Sequence, residues 1–290
     1  MDGVLIPTLV SGLLLGSLYA LMASGLSLIW TTLGVFNFAH GALMTLGAYI
    51  AWTVTEQLGL GLAAGFVAGI GAAVIAGVVI ELLLVRPFYG SRNMMLITVM
   101  TTLAASTIIE RGISVIWGPR LKQLPRVIDG QVNILGAPVS AHETLIIVLA
   151  PAVLLALWWY TGRTRSGRSL RAVGQNQDSA ALIGIDVPRT FSLAFGLSAA
   201  LAGVTGVLLG SIRFITPGLG ADPLVNAMIV VIFGGLGSLG ATAGAAYVIG
   251  MMEALLVLWL GLYWTPSVLF VALIAVLVFR PNGLFGKVSA

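Results

Sequence analysis

Apolar residues run from Val4 to Trp30 with hardly a polar interruption, and comparable runs recur along the whole chain. Runs of roughly 17–25 residues are long enough to span a bilayer as helices. They fall near 4–30, 41–56, 62–85, 94–117, 143–161, 191–212, 223–234, 240–261 and 265–279. The seventh is too short to cross alone and runs into "FGGLGSLG", which predicts a half-helix or re-entrant segment. Continuous apolar runs need a backbone that satisfies its own hydrogen bonds, which helices do. Short alternating segments of the kind a membrane β-barrel requires are not seen. The pattern therefore predicts an all-α, polytopic membrane protein of about eight or nine segments, with glycine-broken helices. It is read as one transmembrane domain over 1–290.

Composition sharpens this picture. The 290 residues are 59% hydrophobic and 8% charged, against about 25% charged in an ordinary soluble domain. The first run lacks a basic leader and is too long for a signal h-region, so it is expected to be a span. There is no cysteine, which excludes disulfides, thiolate metal sites and catalytic thiols. The net charge of +4 does not point to nucleic acid, because the basic residues lie in loops beside spans.

Those basic residues predict orientation. One side receives Arg86, Arg92, Arg163, Arg165, Arg168, Arg171, Arg189, Arg280 and Lys287; the other receives Arg120, Lys122, Arg126 and Arg213; Arg111 lies within a span. The richer side is expected to be cytoplasmic, with the N-terminus outside and the C-terminus inside. Two loops are long. In the outer one, near 118–142, Asp129-Gly130 is expected to form a hairpin turn. In the inner one, near 162–190, Asp178 is expected to cap a helix formed by "SAALI" and stopped by Gly184. So short a helix needs something to dock on. "LGVFNFAHG", two spans and "VRPFYG" are echoed by "FGGLGSLG", two spans and "FRPNGLFG", a possible parallel repeat of the kind common in transporters. The plainer reading is that Arg-Pro ends helices at the inner face anyway.

Candidate chemistry is sparse. Gly235, Gly237 and Gly240 spell G-x-G-x-x-G, but the polar-bounded βαβ context of a nucleotide site is missing, and there is no Walker A sequence. Gly12/Gly16, Gly65/Gly69, Gly206/Gly210 and Gly240/Gly244 are pairs that let helices approach closely. Glu81, five residues before Arg86, is expected to snorkel or form a local ion pair. Glu110 and Arg111 point about 100° apart on a helix and do not pair with each other. Glu253 lies deeper, where an acid is a functional candidate by default. It has no second intramembrane acid or histidine on its helix face to form a proton relay. His40 and His142 lack the converging nucleophile and acid that hydrolysis needs.

Three stretches together carry a resemblance: "GLSLIWTTLGVFNFAHGALMTLGAYIA", "GRSLRAVGQNQDSAALIGIDVPRTFSLAFGLSAALAGVTGVLLG" and "VIFGGLGSLGATAGAAYVIGMMEALL". The chain resembles the branched-chain amino acid ABC transporter permeases of the LivH type over essentially its whole length. The resemblance implies a bacterial inner-membrane import permease, in contact with membrane lipid. It would be paired with a second permease of the LivM type, driven by two cytoplasmic ATPases and supplied by a periplasmic binding protein. No cofactor is implied for this chain; ATP and magnesium belong to the partner ATPases. The family's Glu-Ala-Ala-x-x-x-Gly coupling pattern is partly matched by Asp178-Ser179-Ala180 and Gly184. Coupling is therefore expected within Arg171, Asp178, Ser179, Ala180, Gly184 and Ile185. Similar permeases are thought to serve urea, amides and small carboxylic acids.

For the substrate path the two glycine-rich breaks, 34–41 and 234–240, are the pointers, because interrupted helices at corresponding positions mark transporter sites. Asn37, His40, Gly41, Gly235, Gly237, Ser238 and Glu253 are the expected path residues. Freed amides at a half-helix start can hold a carboxylate. The alternative is that Asn37 and His40 merely hold a structural turn. A stand-alone secondary transporter using Glu253 is the reading from another class.

Overall fold

A computed structural model describes residues 2–134 and 137–285. It is helical almost throughout. α1 (Asp2–Leu33) is followed by α2 (His40–Trp52), α3 (Leu62–Ile80), α4 (Met94–Trp117), α5 (Ala141–Arg163), α6 (Arg165–Gln175), α7 (Gln177–Leu182), α8 (Val187–Gly210), α9 (Ala221–Gly234) and α10 (Leu239–Phe279). Among the described residues six helices are long and apolar enough to cross a membrane. Single π-turns extend α2 through Gln57 and α3 through Val85.

α1 is the central post, packed against α5, α8, α9 and α10, while α3 packs on α2 and α8. Small residues set these contacts. Gly12 and Gly16 of α1 lie against Met251 and Tyr247 of α10, and Gly69 of α3 lies against Gly47 of α2 and Val207 of α8. Lipid offers no hydrophobic drive between helices, so close backbone packing has to hold the bundle. Gly240 and Gly244, expected to pack in the same way, do not: nothing lies within 4 Å of a Cβ built at Gly240, and only the Phe285 ring edge approaches Gly244.

α10 is two spans, not one. Gly261 sits at φ 75° inside it and reverses the chain. The arms 239–260 and 262–279 would reach about 33 and 27 Å at helical rise. Leu284 N–H nevertheless bonds back to the Phe233 carbonyl beside the start of the first arm. The arms are therefore antiparallel, in line with separate runs at 240–261 and 265–279. Like the pair α2–α3, they form a hairpin that ends at an Arg-Pro. The two units differ at their start, because α2 begins deep in the bundle and α10 at its end.

One end of the bundle gathers Arg86, Arg92, Arg163, Arg165, Arg168, Arg171, Arg189 and Arg280, together with α6 and α7; Lys287 lies outside the described residues. This basic face also holds the end of α1, where the Thr32 carbonyl accepts from Gln177 Nε2 at 3.2 Å. The opposite face carries Arg120, Lys122, Arg126 and Arg213. There a β-hairpin, β1 (Gln131–Ile134) and β2 (Ala137–Ser140), pairs antiparallel with Gln131 opposite Ser140. Asp129-Gly130 is not its turn. It precedes β1, and the Gly130 carbonyl accepts from Ala141 N–H at 3.1 Å, closing the base. The connection 135–136 lies outside the described residues.

One other expectation is corrected. Glu81 neither snorkels nor pairs with Arg86. It is fully buried and accepts from Tyr89 Oη at 2.6 Å and Ser192 Oγ at 2.7 Å. The one ion pair among the described residues is Arg189 with Asp186. His142 is likewise buried and held, within 2.7 Å of Ser211 Oγ and accepting from Val127 N–H.

Candidate functional site

The expected path residues fall in three separate places. The first is the start of α2. Gly34, at φ 72°, ends α1, and the chain then turns back into the bundle. Asn37 Oδ1 accepts from Ala39 N–H at 3.0 Å, and Phe38 N–H donates to Thr102 Oγ1 of α4. His40 follows, fully buried against α1. Its Nε2 lies 3.2 Å from the Met22 carbonyl and its Nδ1 3.2 Å from Ser198 Oγ. A carbonyl can only accept, so Nε2 carries the proton and, in the neutral ring, Nδ1 accepts from Ser198. Gly25 of α1 leaves room for this ring, since a Cβ there would stand 2.7 Å from Cε1. His40 is a strut between α1 and α8.

Gly41 then meets Gly220, the residue before α9, backbone against backbone, and a Cβ on either would strike the other's carbonyl. Thr45 Oγ1 accepts from Gly220 N–H at 3.0 Å and donates to the Gly41 carbonyl at 3.1 Å. Two helices thus begin at one point inside the bundle. Sequence reasoning paired the α2 start with the glycines at 234–240; the glycine it touches is Gly220. Gly218 and Gly220 were the available signal, overshadowed by the denser glycines of "FGGLGSLG". Residues 39–45 are all buried, so in this conformation the α2 start faces packed protein.

The second place is the basic face. Gly235, Gly237 and Ser238 form the link from α9 to α10, about 21 Å of helix away from Gly220. Ser238 caps α10 by accepting from Ala241 N–H, and Gly237 and Ser238 are exposed. They border a cleft of about 580 Å³ shared with Trp30, Trp158 and Arg171. Beside it lie α6 and α7. The sequence reading missed α6, an amphipathic helix capped by Thr164 that buries Leu170 and Val173; its five-arginine neighbourhood hid the apolar spacing. The cap of α7 is Asn176, whose Oδ1 accepts from Ser179 N–H at 2.8 Å, and not Asp178, which sits in the first turn. Gly184, at φ 84°, stops the helix as expected, with Ile185 N–H bonded to the Ala180 carbonyl. Ala180 is buried, Gln177 anchors to α1, and Leu182 and Ile183 stand 88% and 76% exposed. Arg171 on α6 donates to the Gly162 carbonyl.

The third place is Glu253, on the first arm of α10 toward the face opposite the basic one. Its Oε2 accepts from Tyr19 Oη at 2.7 Å, and Tyr19 accepts from Asn226 Nδ2 at 2.7 Å. α1, α9 and α10 are joined by this chain of bonds, which borders a cavity of about 270 Å³. The sequence reading singled out neither Tyr19 nor Asn226, because the partners that give them a role lie on helices from distant parts of the chain.

Residues 8–278 match the family described as branched-chain amino acid transport system / permease component. The chain is 31% identical to the high-affinity branched-chain amino acid transport system permease protein LivH of Escherichia coli K12, over 96% of this chain and 94% of that one. It is also 31% identical to BraD, the corresponding permease protein of Pseudomonas aeruginosa, over 96% and 95%. Among solved structures, PsaBC from Streptococcus pneumoniae in complex with Fab aligns with a TM-score of 0.53 at 12% identity, over 95% of this chain and 91% of that one, a likeness of fold alone. With nearly its full length matched, the chain belongs to the family of branched-chain amino acid transport system permease components.

Proposed function

We propose that the chain is the transmembrane permease subunit of a binding-protein-dependent ABC importer that moves branched-chain amino acids inward. Family membership makes it a permease; the finer reading rests on the basic face. The observation that carries it is α7. A helix of six residues is too short to persist unless held. It is held from behind by buried Ala180 and the Gln177–Thr32 bond, while Leu182 and Ile183 project into solvent. Exposed aliphatic side chains on a braced, charged end suit a docking element for the cytoplasmic ATPases. Arg171, Asp178, Ser179, Ala180, Gly184 and Ile185 carry or flank it. The excess of arginine on this face makes it cytoplasmic, with the N-terminus outside.

On this reading a second, LivM-type permease completes the pathway. A periplasmic binding protein docks on the opposite face, and ATP and magnesium are bound by the partner ATPases. ATP binding biases two arrangements of the bundle only through its different affinity for each. The test is to replace Ala180 with Trp and Gly184 with Val in the assembled transporter. Wild-type uptake together with wild-type ATPase stimulation would remove α7 from the coupling role. Permeation of urea, amides or small carboxylic acids by the same scaffold is the second reading, and substrate uptake by the assembled transporter separates it. Uptake by this chain alone in vesicles lacking ATP would favour a secondary transporter.

A further inference from the structure

The cavity beside Glu253 combines charged groups with an aliphatic wall. It lies between α1, α8, α9 and α10, near the arginine-poor end of the bundle. Arg213, three residues past α8, and Leu262, next to the Gly261 reversal, are at its mouth. At about 270 Å³ it is slightly below the usual range for drug-sized ligands, which begins near ~300 Å³, and suits a small metabolite.

Its charged groups are Arg213 after α8, the exposed Asp222 in the first turn of α9 and Glu253 on α10, and of the two acids only Glu253 lies within the bundle. Arg213 is exposed, and among the described residues no hydrogen bond or ion pair engages its guanidinium. Glu253 uses Oε2 to accept from Tyr19, and among the described residues no donor reaches Oε1. Asn226 donates to Tyr19, whose own hydroxyl proton is then committed to Glu253. This chain of bonds fixes the carboxylate and leaves one oxygen turned free. A carboxylate at membrane depth without an ion-pair partner is expensive; Glu81 offsets this with hydroxyl donors on both oxygens, whereas Glu253 has such a donor on Oε2 alone. Between the charges the wall is aliphatic, from Leu15, Leu209 and Val257.

We infer that this cavity is an entry station for an α-amino acid in its zwitterionic form. The substrate carboxylate is taken by Arg213, the ammonium by Glu253 Oε1, and the aliphatic side chain by the Leu15–Leu209–Val257 wall. Tyr19 and Asn226 are positioning residues that hold the Glu253 carboxylate. The inference rests on the import reading above and gives its substrate a place in the bundle and charged partners there. Urea and neutral amides gain little from opposed charges, and a dicarboxylate would bring a negative group to Glu253.

The natural absence of cysteine supplies the test. Val257→Cys places one thiol on the wall. In right-side-out vesicles carrying the assembled transporter, its labelling by a small maleimide is timed with L-leucine, leucinamide or 4-methylpentanoate present. Leucine should slow labelling. Leucinamide lacks the carboxylate and 4-methylpentanoate the ammonium, so neither should protect at the same concentration. Adding Glu253→Gln or Arg213→Gln should raise the leucine needed for protection about tenfold or more, the size of a lost charge-assisted hydrogen bond. Equal protection by the two analogues overturns the site. Uptake by the wild-type transporter separates the two readings. Leucine uptake without protection overturns the cavity site alone. Protection by a different zwitterionic amino acid, with no branched-chain uptake, overturns the branched-chain reading and keeps the site. Protection by none of the standard amino acids overturns the site.

Discussion

His40 at the start of α2 and Ser198 on α8, 158 positions apart in sequence, meet at 3.2 Å, with the Met22 carbonyl of α1 closing the other side of the ring. The imidazole joins three helices where one of them begins, and so supports the broken helix rather than any proton chemistry. His40→Ala should remove both bonds and leave a void, lowering the stability of the folded chain by about 2–4 kcal/mol. Gly25→Ala should act on the same contact from the other helix by displacing the ring. Because the two changes share one contact, the double variant should lose less than the sum of the singles. Thermal unfolding in detergent, read for all three, checks this; strict additivity would mean the ring is not the link.

The Gly41–Gly220 crossing admits no side chain. Gly41→Ala and Gly220→Ala should each cost about 1–3 kcal/mol or more, as overpacking does when backbone is the obstacle. Thr45→Val, which keeps the shape and removes the acceptor for Gly220 N–H, should cost about 1–3 kcal/mol through an orphaned buried donor. Comparing membrane-inserted yield and melting temperature of the three ranks steric against polar loss.

At the basic face the expectation is reversed. Leu182→Glu with Ile183→Glu touches only exposed side chains, so stability should stay within about 0.5 kcal/mol of the parent. Uptake and stimulated ATP hydrolysis by the assembled transporter should both fall. Normal melting with lost co-purification of the ATPases would place the defect in docking. Gly184→Val should cost about 1–2 kcal/mol locally, since a β-branched residue strains at φ 84°.

Glu81 offers a fourth measurement. Both of its oxygens accept hydroxyl donors, from Tyr89 beyond the end of α3 and Ser192 near the start of α8. Tyr89→Phe and Ser192→Ala should each destabilise by about 1–3 kcal/mol, and the pair should be non-additive because they share one carboxylate. Urea or SDS unfolding of the purified chain reads the difference.

Much of this was legible beforehand because it is local. Apolar run length is read in about 20-residue windows, and that was enough for the long apolar helices, including the two arms that Gly261 separates, but not for the short amphipathic α6. Gly184 as a helix stop and Asn37 as a turn former follow from chemistry acting over two or three residues. Even local rules failed where two candidates competed. Asn176 and Asp178 are both good caps, and the choice fell to Asn176, the residue whose backbone is extended. The hairpin turn failed similarly, because strand register, not turn propensity, sets Gln131 opposite Ser140 and leaves Asp129-Gly130 at the base.

What the sequence determined by itself is the class of molecule, its family and the asymmetry of its charge, since burial in lipid and arginine placement depend on composition along the chain. What only the tertiary structure decided is which polar residues meet. Glu253 needed Tyr19 and Asn226, His40 needed Ser198, and Gly41 needed Gly220 rather than the glycines at 235–240. Each of those pairings joins helices far apart in the chain, and a polar side chain inside a membrane protein takes its partner from whichever helix packing brings within about 3 Å, a fact no periodicity records.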